Sequence, residues 1–67
     1  MPKIVIYSDD QENQEIAVLN DKGEELFSQG QDHDQHGWDG MEVARDIAEG
    51  IGQALGIAVE REYKEFN

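Results

Sequence analysis

Sixty-seven residues carry 16 Asp and Glu against 5 Lys and Arg, a formal net charge of −11. That length fits one small domain spanning residues 1–67, and the charge disfavours direct binding to nucleic acid or to an anionic membrane, since such a body repels phosphate. The absence of cysteine excludes a disulfide framework, a thiolate metal site and a thiol nucleophile.

High charge and low hydropathy are features of disordered chains, and Leu, Ile, Val and Phe make up only 15 residues. Those residues nevertheless fall in short patterned blocks between turn signals, which a disordered acidic tail does not need. An ordered domain with loops is therefore expected. No stretch approaches the roughly 20 apolar residues of a membrane span, and the N-terminus lacks the apolar core of a signal peptide. The expected setting is the cytoplasm of a bacterial cell.

Lys3 to Tyr7 (K-I-V-I-Y) is a β-branched and aromatic run, and its continuous apolarity predicts a central strand buried on both faces. The polar stretch Asp9 to Gln14 predicts a hairpin-type loop. Glu15 to Asn20 is the second strand, with Ile16 and Val18 on one face and Ala17 and Leu19 on the other. Asn20-Asp21-Lys22-Gly23 is a turn, because Gly23 tolerates the positive φ that such loops require. Glu24 to Gln29 is a third strand, placed at an edge by Glu24 and Glu25.

Gln31 to Gly40 contains no aliphatic residue and is expected to be a loop. The helix should start after it, with Asp39 as cap, Glu42 completing a capping box, and Trp38 and Val43 forming a hydrophobic staple. Ala44, Ile47, Ala48, Ile51 and Leu55 follow the spacing of one buried helical stripe. Glu42, Arg45, Asp46, Glu49 and Gln53 fall on the exposed side. Gly56 followed by Ile57 marks a helix stop. Gly50 and Gly52, each costing about 1 kcal/mol in a helix interior, predict close packing of helix on sheet, with early fraying of the helix as the alternative. Ala58 to Phe66 is the fourth strand, with Val59 and Tyr63 sharing a face.

The order is β-β-β-α-β, an α+β fold. A right-handed crossover sets the fourth strand parallel to the first, giving a four-stranded, mostly antiparallel sheet in the order 3-2-1-4 with one helix on one face. The other face is left to solvent or to a partner.

The charge is unevenly placed. Between Asp9 and Glu49 there are 13 acidic residues against Lys22 and Arg45, while the remaining residues sum to zero. Duplex DNA carries one charge per roughly 1.7 Å of axis, so eleven charges match about 19 Å of duplex. A chain of this length has a radius of gyration near 11 Å and a diameter of roughly 28 Å. The candidate partner-binding carboxylates are Asp9, Asp10, Glu12, Glu24, Glu25, Asp32, Asp34, Glu42, Asp46 and Glu49. Like charges at i, i+4, as in Glu42 and Asp46, cost a few tenths of a kcal/mol, which suggests some functional return.

Other chemistry is thinly supported. Asp32-His33-Asp34-Gln35-His36 offers transition-metal donors, but the spacing matches no metal motif and the EF-hand pattern is absent. No metal, cofactor or catalytic residue is therefore assigned. Ser8 and Ser28 have no His-Asp constellation, and no glycine-rich phosphate loop is present. Asp9 at the end of the first strand and Glu42 at the start of the helix give the chain a topological resemblance to a clipped ribonuclease H-like core. The Asp such a core needs late in the fourth strand is replaced here by Glu62 and Glu65. HicB-type antitoxins also look like reduced versions of this fold. In size, acidity and lack of a catalytic motif, the whole chain is similar to small phage-borne anti-CRISPR and anti-restriction proteins, several of which are DNA mimics. That resemblance implies a non-enzymatic inhibitor whose carboxylates pair with Lys and Arg along a target's phosphate track. The alternative is an antitoxin or assembly module that binds through an open sheet face or an edge strand.

Overall fold

The computed structural model describes residues 1–11 and 13–66, with the side chains of residues 33–36, 38 and 39 outside the description. Strands β1 (Lys3–Ser8), β2 (Gln14–Leu19) and β3 (Glu25–Gln31), helix α1 (His33–Leu55) and strand β4 (Ala58–Tyr63) follow in that order. The sheet runs β3-β2-β1-β4, with β1 antiparallel to β2, β2 antiparallel to β3, and β1 parallel to β4. The fold class and strand order are those expected from sequence. Ile4, Val5 and Ile6 are all buried, as a central strand requires.

The loops use local polar chemistry. Asp9 accepts hydrogen bonds from the backbone N–H groups of Gln11 and Asn13, both at 2.9 Å, and from the Asn13 side-chain amide at 3.2 Å. At the other hairpin the Asn20 side-chain oxygen accepts from the N–H groups of Lys22 and Glu24, and Gly23 takes φ 83°. Each short Asx side chain supplies the acceptor that the turning backbone lacks.

Residues 33–40 differ from the expectation of a loop. Strand β3 continues to Gln31, and helical backbone begins at His33, two residues later. Gly37, at φ 67° and ψ 177°, breaks the helix into a first turn and a main body. A left-handed φ of that kind is readily available only to glycine. The backbone of Asp39 thus lies inside the helix rather than at its cap, while the expected cap and staple contacts of Asp39 and Trp38 fall outside the described side chains. The helix ends as the sequence indicates. Gly56 adopts φ 68°, Ile57 N–H reaches Gly52 C=O at 2.8 Å, and Gly56 N–H points to Gln53 C=O at 3.4 Å, a Schellman arrangement.

The core on the helix side gathers Ile4, Ile6 and Ala48, with Ile16, Val18, Ile57 and Val59 packed around them. Among the described residues of α1, those that bury themselves are Met41, Ala48 and Gly52. Of the expected stripe only Ala48 is buried; Ala44 is half-buried, and Ile47, Ile51 and Leu55 are exposed. The small residues Ala48 and Gly52 let the helix settle close over β1 and β4, and this turns the larger apolar residues sideways.

On the opposite face Val5 and Ala17 are fully buried, although no described helix lies over them. On this face Lys3 pairs with Glu60 at 3.1 Å, Lys64 with Glu15 at 2.9 Å, and the Lys64 ammonium sits 5.0 Å from the Tyr7 ring centre. The hydrogen bond to Glu15 raises the Lys64 pKa above its ordinary value.

Candidate functional site

The register fixes which loops share an end of the sheet. Ser8, Gln14, Gln31 and Tyr63 lie side by side at one end, and Lys3, Leu19, Glu25 and Ala58 at the other. Asp9 and Asp10 leave the first end from β1, Asp32 from β3, and Glu65 lies just beyond β4. The helix enters at the same end, and Gln14 ties it down. This side chain is only 4% exposed, and its amide donates to the Met41 carbonyl at 2.9 Å and to Gln31.

Two recesses result. One, of 230 Å³, is lined by Ser8, Asp9, Asn13, Gln14, Met41, Glu42 and Arg45. The other, of 160 Å³, is lined by Asp9, Asp10, Gln11, Tyr63, Glu65 and Phe66. Tyr63 donates to Glu65 at 3.4 Å; its phenol is pushed up by burial first, then by the negative charge of Asp10, the bond to Glu65 and the charge of Asp9.

Of the ten candidate carboxylates, Asp9, Asp10, Asp32 and Glu42 therefore belong to the Ser8 end, and Asp46 is exposed further along the helix. Glu24 and Glu25 lie at the far end, with Glu24 accepting from the Asn20 amide at 3.1 Å. Glu49 is paired with Arg61. Glu12 lies outside the described residues, as do the side chains of Asp34, His33 and His36 with their metal-binding potential. Among the described residues no group of three or more His, Asp or Glu is arranged to hold a metal ion. No described helix is long and apolar enough to cross a membrane.

Asp9 and Glu42 do approach the same recess, as the topology indicated, but Arg45 shares it and Asp9 is occupied in ordering its own loop. Burial works to raise the Asp9 pKa, and the donors of Asn13 and Gln11 outweigh it, leaving the carboxyl below its ordinary 3.8. A depressed folded-state pKa contributes stability above the unfolded-state value and loses it as pH falls through the folded one. Asp9→Ala is expected to unfold at lower urea than the parent at neutral pH, with the gap closing as pH falls below about 4. A gap that does not change with pH would assign the loss to something other than the carboxylate.

The sequence reading missed a second surface. Phe27, Val43, Ile47 and Ile51 are 59%, 56%, 57% and 48% exposed. Ile4, Ile16, Val18 and Phe27 from the sheet, with Ala44, Ile47, Ala48 and Ile51 from the helix, border an apolar groove of 340 Å³ in which Gln29 is the one polar residue among the described lining residues. The signal was present in Val43, which continues Ile47, Ile51 and Leu55 at i, i+4 spacing and makes the apolar arc too wide for one sheet contact.

Comparison with protein-family models, with curated proteins and with solved structures returned no match.

Proposed function

We propose that the chain is a non-enzymatic inhibitor that offers an acidic, DNA-like surface to the basic, nucleic-acid-binding site of a bacterial defence protein, acting in the bacterial cytoplasm as anti-CRISPR proteins do. The observation that carries this reading is how the few cations are used. Lys3, Arg61 and Lys64 are engaged by Glu60, Glu49 and Glu15. Asp10, Glu25, Glu42 and Asp46 are exposed, and the surplus of negative charge is opposed by Lys22 and Arg45.

The Ser8 end supports it further. Strands lie about 4.8 Å apart, so the ends of β4, β1 and β3 spread over roughly 14 Å. Glu65, Asp9, Asp10 and Asp32 sit along that edge, with Glu42 above it. Duplex DNA presents about eight phosphates over the same distance, so the acidic density is a little over half that of DNA. Such a surface steers association with basic sites and loses strength with salt.

The test is affinity capture from a bacterial lysate over a salt series, with and without competing duplex DNA. The expected partners are basic, are released by salt and by DNA, and are not captured by a variant carrying Asp10→Lys, Glu42→Lys and Asp46→Lys. Partners that are neither basic nor displaced by DNA would end this reading.

A second reading, an antitoxin or assembly module that pairs through an edge strand, is favoured by β3. Its residues Leu26 to Gln31 carry no charge, whereas the other edge strand carries Glu60, Arg61 and Glu62 in succession. Charged residues protect exposed edges from pairing, and β3 lacks them beyond Glu25. The triple charge reversal would leave such an edge complex mostly intact.

A further inference from the structure

Four strands about 4.8 Å apart make a sheet roughly 19 Å wide, and a helix with its side chains is about 10–12 Å across. One helix therefore covers about half of one face. Helix α1 crosses the face obliquely: Met41 is tied to Gln14 of β2, and further along Ala48 packs with Ile4 and Ile6 and a Cβ at Gly52 would stand 2.4 Å from Val59. Among the described residues, the part of the β2–β3 half beside Ile47 and Ile51 is left open as the groove floored by Ile16, Val18 and Phe27, with Val43 on its rim.

We propose that this groove seats an amphipathic α-helix of the partner, with apolar residues facing the groove and Lys or Arg on its flanks. The inference rests on the basic-partner reading above and says which element of that partner is held. Residues 43 to 55 run about 18 Å, a seat of three turns for a helix lying alongside α1. Asp46 is about 60° round α1 from Val43, on the outer side of the seat, where a flanking Lys or Arg would meet it, while Glu42 is turned toward the Asp9 recess. A small metabolite fits poorly, because Gln29 is the one polar group among the groove's described lining residues and oriented binding needs several. A second copy is opposed by charge: each chain carries −11, and both would bring Asp46 to the same rim.

The experiment titrates the isotope-labelled full chain with 18-residue peptides that share one amphipathic pattern, Leu with Lys, Leu with Gln and Leu with Glu. A scrambled Leu-Lys peptide lacking an apolar face is the control. The Leu-Lys peptide is expected to shift the methyl signals of Ile16, Val18, Ile47 and Ile51 and to bind at least tenfold more tightly than the Leu-Gln peptide. Ile47→Asp, at an exposed position, should weaken it at least tenfold without moving the unfolding midpoint. Asp46→Lys should turn the preference toward the Leu-Glu peptide. No groove shifts, or equal binding of the scrambled peptide at the Ser8 end, overturns the groove proposal and leaves the basic-partner reading standing. Equal groove binding of the Leu-Gln peptide overturns the basic-partner reading itself. Sedimentation as a dimer in which these same methyls are protected would give the groove to a second copy and overturn the proposal.

Discussion

Ile4→Ala is expected to remove 2–5 kcal/mol of stability, and Ile47→Ala, the same substitution on the helix, to change it by less than about 0.5 kcal/mol. Ile4 is 3% exposed in the central strand and anchors the core with Ile6 and Ala48. Deleting its side-chain carbons costs both the transfer free energy and a cavity beneath a helix that already lies close. A chain of this length has roughly 3–10 kcal/mol in total, so the variant sits at or near the edge of folding. At about 4–8 °C per kcal/mol, its thermal midpoint should fall by at least about 8 °C. Ile47 instead projects into the open groove, where alanine loses little packing and gains a few tenths of a kcal/mol of helix propensity. Thermal and urea unfolding followed by circular dichroism measure both. Equal losses would mean that the helix packs on the β2–β3 half after all.

The two interior glycines of α1 should respond in opposite senses to the same change. At Gly50 an added Cβ meets nothing within 4 Å, so Gly50→Ala is expected to stabilise by about 1 kcal/mol through helix propensity. At Gly52 the Cβ would stand 2.4 Å from the Val59 Cγ2 and 3.0 Å from the Ile57 carbonyl oxygen. Val59 can shift, but the carbonyl belongs to the chain that reverses direction after the helix and has little freedom. Gly52→Ala is expected to lose about 1–2 kcal/mol despite its better propensity, because overpacking outweighs it. The gap of about 2–3 kcal/mol corresponds to a separation of at least 8 °C between the two thermal midpoints. Equal stabilisation by both substitutions would rule out the close approach of α1 to β4.

These two pairs mark what was legible in the sequence. The strands and their order followed from local signals: the apolar run at Ile4 to Ile6, the turn at Asn20 to Gly23, and the handedness of one crossover. The helix stop at Gly56 was equally local. The start of α1 was not, because residues 33–40 show no apolar periodicity and the break depends on the conformation of Gly37. The buried face of α1 was hidden for a different reason. Periodicity identifies an apolar arc, while the azimuth actually buried depends on which residues let the helix come closest. Gly52 decides that through Val59, a neighbour brought near by the β1–β4 pairing. The candidate site was legible as an excess of charge but not as an arrangement. Nothing local ties Glu49 to Arg61, parts Glu24 and Glu25 from Asp9 and Asp10, or shows that Asp9 is occupied by its own loop.

The parallel pairing of β1 with β4 also governs how the chain reaches its fold. Lys3 lies opposite Ala58 and Ser8 opposite Tyr63, so each of these pairs closes a loop of 55 residues, whereas the two hairpins close short ones. Closing the long loop costs chain entropy before its contacts give anything back, which makes β4 the late and slow partner. Until it docks, the run Ile4-Val5-Ile6 is an unprotected sheet edge, the apolar template on which chains pair with one another. The surplus of negative charge then has a kinetic role as well: it keeps incomplete molecules apart while the sheet waits for its fourth strand.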